Sequence, residues 1–354
     1  MGVFKHAEFD NHESLHFFQD DATGLQAIIA IHSTALGPAF GGARRWHYAT
    51  EAEALYDVLR LSEGMTYKAA CSNVAIGGGK AVIMLPRPGH PATEAEAREM
   101  GRFVDTLGGV YLSAEDVGLT TQYIDWMAME TAHVTGGDAS GTGGDPSPFT
   151  AQGVVNGMKG ALAHTGRPVD FAGLTVAIQG AGNVGSNVAR ILHEAGASIV
   201  ISDINTESLQ RVVDATGATA VAPNAILTTK CDVLSPCALG GVINDEVIPK
   251  LQTAIICGGA NNILADYDAD GAAIQAKGVA CVPDFIANAG GLIELAGMHI
   301  GLSPEERADR IAEIEVTAAE VLGDAAEHGS FYAAAVALAK RRIEAAARET
   351  AGAA

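Results

Sequence analysis

The 354-residue chain has no uninterrupted apolar run approaching the ~20 residues of a membrane helix, although 48% of its residues are hydrophobic. A soluble globular protein is therefore expected and a membrane span is not. Basic residues are scarce: 22 Lys and Arg stand against 42 Asp and Glu, a net charge of −20. Such a surface repels nucleic acid and anionic lipid, which removes both from the expected partners and favours solubility. Cysteine is sparse and odd in number, five without a clustered ligand spacing. Thiols in a reducing compartment are expected, not a disulfide framework or a metal centre. The stretch from Met1 to His6 lacks a secretory hydrophobic segment, and Asp10, Glu13, Asp20 and Asp21 follow soon after. The expected location is the cytoplasm. Internal repeats and low-complexity tails are missing too, and the length suits two domains, each able to bury a core.

Against these absences stands one concentrated stretch, Met65-Thr66-Tyr67-Lys68 through Gly77-Gly78-Gly79-Lys80. Three consecutive glycines remove side-chain cover and permit positive φ, so backbone and substrate can approach closely. A lysine held there, dry and near another cation, loses its proton more readily and can serve as a general base near neutral pH. The plainer reading is two surface lysines flanking a mobile glycine loop. Spacing alone does not choose between them.

The first half reads as mixed α/β. Leu25 to Ile31 is an apolar strand after the turn-forming Asp21-Ala22-Thr23-Gly24. Thr50, with Glu51 and Glu53 behind it, opens a helix carried by Leu55, Val58, Leu59 and Ser62. Ala81 to Leu85 is a second strand, stopped by Pro86 and Pro88, and Glu94 to Leu107 is helical. A short strand, Val110 to Leu112, then delivers Glu115 and Asp116. His12-Glu13-Ser14-Leu15-His16 matches the H-E-x-x-H zinc string, whose chemistry needs both histidines on one helix face. No long amphipathic helix surrounds it and no third ligand is evident, so a solvated N-terminal segment is expected.

Gly136 to Pro148, rich in turn formers and without apolar periodicity, is the expected hinge, with a helix from Thr150 onward. A cleft beside such a hinge is where substrate and cofactor commonly meet. Beyond it, Leu174 to Gln179 reads as a strand. Gly180-Ala181-Gly182-Asn183-Val184-Gly185 follows, then a helix with Val184, Val188, Ile191 and Leu192 on one face, then the strand Ser198 to Asp203. Strand, glycines, helix, strand and terminal acid together form a dinucleotide fingerprint. Gly180 makes the tight turn, Gly182 admits the pyrophosphate to the helix N-terminus, and Gly185 lets helix and strand pack closely. Asp203 is placed to accept from the adenosine ribose hydroxyls. Strands at Asp232 to Leu234, Ala254 to Cys257 and Val279 to Val282 continue a parallel sheet. The loops Pro236 to Gly240 and Gly258 to Asn262 are expected at the cofactor crevice. Cys237 has no histidine near it in sequence and reads as a small packed thiol. From Pro304 to Ala353 the chain is alanine-rich and helical, with a break near His328-Gly329-Ser330. The expected organisation is α/β in two domains. A mixed α/β substrate domain spans 1–145, a Rossmann-type domain spans 146–330, and a last helix over 331–354 packs on the first domain or a subunit interface.

Leu36 to Trp46 (LGPAFGGARRW), Gly64 to Lys68 and Gly77 to Lys80 resemble the leucine/phenylalanine/valine/glutamate dehydrogenase superfamily. So do Ala114 to Gly118, Pro146 to Thr150, Gly180 to Gly185, Ser235 to Gly240, Gly259 to Asn262 and Asn288 to Gly291. Their order and spacing, over essentially the whole chain, are most similar to those of leucine dehydrogenases. The resemblance implies reversible oxidative deamination: L-amino acid, NAD and water giving a 2-oxo acid, ammonium and NADH. It implies that Lys68 binds the substrate carboxylate, Lys80 is the base that activates water, and Asp116 shuttles protons. It places Gly41, Gly42, Met65 and Asn262 with the substrate. Phe40, Ala114, Leu292 and Leu295 fall at the side-chain pocket. Thr150, Gly180, Ala181, Gly182, Asn183, Val184, Gly185, Asp203, Cys237, Ala238, Ala260 and Asn261 fall with NAD. Lys68 is expected to lower the pKa of Lys80 and an ionised Asp116 to raise it. The four pocket positions are apolar, with no lysine for a γ-carboxylate, which disfavours glutamate. Leucine dehydrogenases commonly carry leucine at the place of Phe40 and valines at Leu292 and Leu295, so this pocket is bulkier. Phenylalanine dehydrogenase is the alternative. A non-catalytic nucleotide-binding relative would be free to lose Lys68, Lys80 or Asp116, yet all three are present. A 2-hydroxy acid dehydrogenase would need a His–acid pair that no pattern supplies. The partners implied are small molecules, amino acid or 2-oxo acid and ammonium, and further copies of the chain in a homo-oligomer.

Overall fold

The computed structural model describes residues 2–138 and 144–353, without the side chains of 349–353. The expected hinge lies partly on 139–143, outside the described residues. Contacts divide the chain into two compact units, each described by itself. The first comprises Met1–Asp145, Leu295–Ser303 and Ala339–Ala354; the second comprises Pro146–Glu294 and Pro304–Leu338. The sequence placed 295–303 in the second domain and set the last helix, from 331, apart from it. The structure assigns 295–303 to the first unit and divides the last helix at 338/339.

The first unit is built on six strands: β1 (Ser14–Asp20), β2 (Leu25–Ser33), β3 (Ala39–Trp46), β4 (Gly77–Met84), β5 (Tyr111–Glu115) and β6 (Val134–Thr135). They run in the order β1-β2-β4-β3-β5-β6. The β1–β2 and β2–β4 pairs are antiparallel, the others parallel. Helix α1 (Glu51–Cys71) packs on one face, α2 (Glu94–Asp105) and α3 (Thr121–Ala128) on the other. β2 shows why its sequence is continuously apolar. Ile29 and Ile31 point into the α2–α3 core with Met100, Val104, Tyr111 and Tyr123, while Ile28 and Ala30 meet Ala54, Val58 and Val82 on the α1 face. Thr50 caps α1, its hydroxyl accepting from the Glu53 N–H at 3.2 Å.

The H-E-x-x-H string is only partly solvated, with Glu13 exposed and His12 buried. His12 is 6% exposed, with Nε2 3.1 Å from the Leu59 carbonyl and 3.0 Å from Ser62 Oγ. His16 lies on strand β1, so the two histidines do not share a helix face.

The second unit holds β7 (Thr175–Gln179), β8 (Ser198–Ser202), β9 (Thr219–Ala220), β10 (Val233–Pro236), β11 (Ile255–Ile256) and β12 (Ala280–Cys281). All are parallel, in the order β12-β11-β10-β7-β8-β9. Numbered from its own first strand, this is the 3-2-1-4-5-6 order of a doubly wound dinucleotide-binding sheet, with its switch point between β7 and β10. The helices after α3 are α4 (Ser147–His164), α5 (Asn183–Glu194), α6 (Thr206–Thr216), α7 (Tyr267–Ala276), α8 (Asp284–Ala287), α9 (Gly290–His299), α10 (Pro304–Ala312), α11 (Ile314–His328) and α12 (Phe331–Ala353). α11 ends at Gly329, whose φ of +85° fits the break read near His328. Within the first unit, Arg342 of α12 donates to the Ala70 and Cys71 carbonyls, each at 2.9 Å, at the end of α1. Among the described residues no helix is long and apolar enough to cross a membrane.

Candidate active site

The three glycines before Lys80 are strand, not loop. Gly77, Gly78 and Gly79 begin β4, are buried, and have no positive φ. The mobile glycine loop of the plainer reading is therefore replaced by close packing. A Cβ on Gly78 would lie 2.1 Å from both the backbone nitrogen and Oγ1 of Thr66. The bare backbone lets α1 settle onto the sheet, and α1 carries the half-buried Met65 and Lys68 on either side of Thr66.

Alternation then sorts the site. Val82 faces α1, so Lys80 and Gly78, two and four residues earlier, face it too. Ala43 faces the α2–α3 core, which turns Phe40, Gly42 and Arg44 toward α1. Gly42 pairs with Ala114 across β3–β5, and Phe40 pairs with Gly78 across β3–β4. Gly41 takes the other face, its carbonyl accepting from the buried Tyr111 hydroxyl. At the end of β5, Asp116 crosses over Gly42, where a Cβ would come within 2.7 Å of the Asp116 Cβ.

The result is an ion pair, Lys80 Nζ to Asp116 Oδ2 at 2.6 Å, with side chains 7% and 22% exposed. Burial lowers the Lys80 pKa, and the facing Asp116 offsets only part of that. Burial pushes Asp116 up, but Lys80 and Arg44 outweigh it and hold the carboxyl below its ordinary range. The site thus favours a carboxylate beside a lysine that gives up its proton easily.

Arg44 was not assigned from the sequence. Its Nε lies 3.3 Å from Asp116 Oδ2 and its Nη1 2.9 Å from Asp57 Oδ2. Asp57 also accepts from the Tyr48 hydroxyl at 2.8 Å. Burial opposes the Arg44 charge, but Asp116 and Asp57 raise its pKa, so it stays a cation. The sequence named Lys68 as the neighbouring positive charge; the structure adds Arg44 as a cation that lowers the Lys80 pKa. Only once Ala39–Trp46 is known to be a strand does Arg44, two residues from Gly42, share its face. Arg45 takes the opposite face and pairs with Glu96 at 2.6 Å.

In the second unit, β7 is followed by Gly180, whose φ of +102° makes the turn into α5. Gly185 packs back on that turn, where a Cβ would stand 2.0 Å from the Gly180 carbonyl oxygen. The N-cap of α5 is Gly182, which offers no side-chain cap and has open space on its side-chain face, between Ala181 and Asn183. The first-turn N–H donors, followed by Val184, are thus left for an anion. Two buried polar atoms lie at the same strand ends without a hydrogen-bond partner among the described residues, Gln179 Oε1 and Ser202 Oγ. These features fit a dinucleotide. Asp203 follows β8, and its carboxylate accepts from the Ala181 N–H at 2.6 Å and the Asn205 N–H at 2.7 Å, which ties the acid to the turn.

Cys237 and Ala238 follow β10 across the switch point, Ala238 against Gly180. Cys237 accepts from the Gly259 N–H at 3.4 Å, and burial raises its pKa, as suits a packed thiol and not a nucleophile. The Ala260 N–H donates to Pro236 at 3.1 Å. Asn261 Oδ1 accepts from Asn288 Nδ2 at 2.7 Å, and Asn262 Oδ1 lies 3.1 Å from the Tyr267 hydroxyl. Thr150 Oγ1 donates to the Pro146 carbonyl at 3.1 Å. Of the pocket positions, Phe40 and Ala114 are buried in the first unit and Leu292 in the second, while Leu295 is half-buried.

Residues 12–133 match the family described as Glu/Leu/Phe/Val dehydrogenase, dimerisation domain. Residues 143–207 and 201–351 match Glutamate/Leucine/Phenylalanine/Valine dehydrogenase. The chain is 44% identical over 346 residues to a leucine dehydrogenase of Geobacillus stearothermophilus, covering 97% of this chain and 94% of that one. It is 42% identical over 316 residues to a phenylalanine dehydrogenase of Bacillus thermotolerans, covering 87% and 81%. The crystal structure of L-tryptophan dehydrogenase from Nostoc punctiforme superimposes with a TM-score of 0.86 at 39% identity, covering 96% of this chain and 97% of that chain.

Proposed function

Because the chain belongs to the Glu/Leu/Phe/Val dehydrogenase family, we propose that it catalyses the reversible, NAD-dependent oxidative deamination of an apolar, branched-chain L-amino acid. It is an amino acid dehydrogenase, an oxidoreductase of a family that uses a nicotinamide dinucleotide. The observation that carries the mechanism is the Lys80–Asp116 pair at 2.6 Å beside Arg44. When bound, the dinucleotide supplies the two-electron acceptor.

The chain's own residues do the rest. Lys68 holds the substrate carboxylate. Asp116, kept ionised by Lys80 and Arg44, takes a proton from the α-ammonium group. Lys80, dry and with a lowered pKa, removes the proton of the water that adds to the oxidised α-carbon, and Asp116 returns a proton to the departing amine. The products are the 2-oxo acid and ammonium. Branched-chain preference is supported by the apolar Phe40, Ala114, Leu292 and Leu295, and by the identity to leucine dehydrogenase. An aromatic substrate is the second reading, since relatives named for phenylalanine and tryptophan stand nearly as close.

Preference for NAD is supported by Asp203, whose carboxylate would repel a 2′-phosphate, and by Ile204, Asn205 and Thr206, which bring no arginine to receive one. A homo-oligomer is supported by the dimerisation domain matched over 12–133. The sparse, odd set of five cysteines without a clustered spacing supports a reducing compartment, the cytoplasm. The test is kcat/KM for leucine, valine, phenylalanine and glutamate with NAD and with NADP. Highest values for leucine or valine with NAD are expected. A clear preference for phenylalanine would overturn the substrate reading, and parity with NADP the cofactor reading.

A further inference from the structure

Asn262 is one of only three non-glycine residues with positive φ among the described residues, at +53°. Asparagine tolerates that region better than most residues, but a side chain stays there only when its surroundings fix it. The fixing group is Asp284, a carboxylate 3% exposed at the start of α8. Its Oδ2 accepts from the Ile263 N–H at 3.3 Å and from the Tyr267 hydroxyl at 2.9 Å, and the Asn262 N–H is a further donor to it. The same Tyr267 hydroxyl lies 3.1 Å from Asn262 Oδ1. Tyr267 itself is clamped, its ring stacked on Tyr332 with centroids 4.2 Å apart.

Burying a carboxylate is costly, and a loop needing only closure would not require one. Here Oδ1 accepts from the Phe285 N–H at 2.8 Å, while the donors on the other side come from Asn262, its neighbour Ile263 and Tyr267. The backbone of Asn262 is reached directly and its carboxamide through Tyr267. Asn261 next door has a separate support, the 2.7 Å bond from Asn288. We propose that Tyr267 and Asp284 are positioning residues that hold Asn262 in its substrate-binding orientation, independently of the grip on Asn261. This rests on the reading of Asn262 as a substrate-binding residue.

The test is a double-mutant cycle on the full-length enzyme with Tyr267→Phe, Asn262→Ala and the double variant, reading kcat and KM for the amino acid and the NAD dissociation constant. Tyr267→Phe keeps the stacked ring and removes only the hydroxyl. It is expected to lower kcat/KM roughly fivefold to tenfold, with NAD binding within about twofold of wild type. In the Asn262→Ala background the same change should do nothing beyond about twofold, because its target is gone. Asp284→Asn, which keeps an acceptor oxygen, should retain more activity than Asp284→Ala. Full and additive loss from Tyr267→Phe in the Asn262→Ala background would overturn the proposal. So would unchanged kcat/KM in Tyr267→Phe when Asn262→Ala is impaired. If Asn262→Ala leaves amino acid kinetics intact, the substrate reading of Asn262 falls, and the proposal with it.

Discussion

A lysine cut off from water is a poor cation, and at Lys80 that cost is set against one carboxylate, Asp116, itself shared with Arg44. The shared carboxylate neutralises Lys80 incompletely, which leaves burial in control of its proton. Replacing Lys80 by alanine is expected to lower turnover by about 10²–10⁴-fold, the usual worth of a general base. NAD binding should survive, because the fingerprint belongs to the second unit. A rate above roughly a tenth of wild type would place the base elsewhere. Arg44→Met tests the electrostatics with a definite sign. Removing a like charge stabilises the Lys80 ammonium and raises its pKa, and the base exists only above that pKa. The acid limb of kcat/KM against pH should therefore move to higher pH. Asp116 loses a cation as well, yet the ordinary carboxylate range lies far below this limb. An unmoved limb, or one displaced to lower pH, would contradict the role given to Arg44.

At the scale of elements, the site depends on how closely α1 lies on β4. Gly78→Ala places a methyl where Thr66 already stands, so the helix must shift. Overpacking of this kind costs typically about 1–3 kcal/mol. The expected outcome is a lower midpoint in thermal unfolding together with a raised KM for the amino acid, since Lys68 rides on the displaced helix. Unchanged stability and KM would show that α1 does not set the site. The same contact explains what was hidden in the sequence. β7, α5 and β8 were legible because their periods and glycines are local signals, and the structure returns the two strands within a residue and the helix between them. Gly77 to Gly79 were not legible as strand, since nothing local tells a glycine that bends the chain from one that lets a helix approach. β3 carries glycines and two arginines, and its strand character comes from partners on both sides. Arg44 needed that strand before its face could be read. The return of 295–303 to the first unit is a long-range choice with no local marker.

For the molecule as a whole, the charge balance is a stability term. Exposed pairs such as Arg98–Glu94, Arg190–Glu194 and Arg348–Glu344 contribute little and weaken as salt rises. Against them stands a net charge of −20, an excess of acids that no arrangement of 22 basic side chains can pair. Self-repulsion on that scale destabilises the compact state and is relieved by screening. The two effects have opposite signs, and the unpaired excess should dominate. Raising NaCl from about 0.01 M to about 0.15 M shortens the screening length from roughly 30 Å to roughly 8 Å. Over this low range solvent-exclusion effects of salt are small, so the thermal midpoint should rise with screening alone. A scan of Tm against NaCl at constant protein concentration decides the sign. A flat or falling midpoint would mean that local ion pairs outweigh the net charge, and that the acidic surface is arranged in compensated clusters.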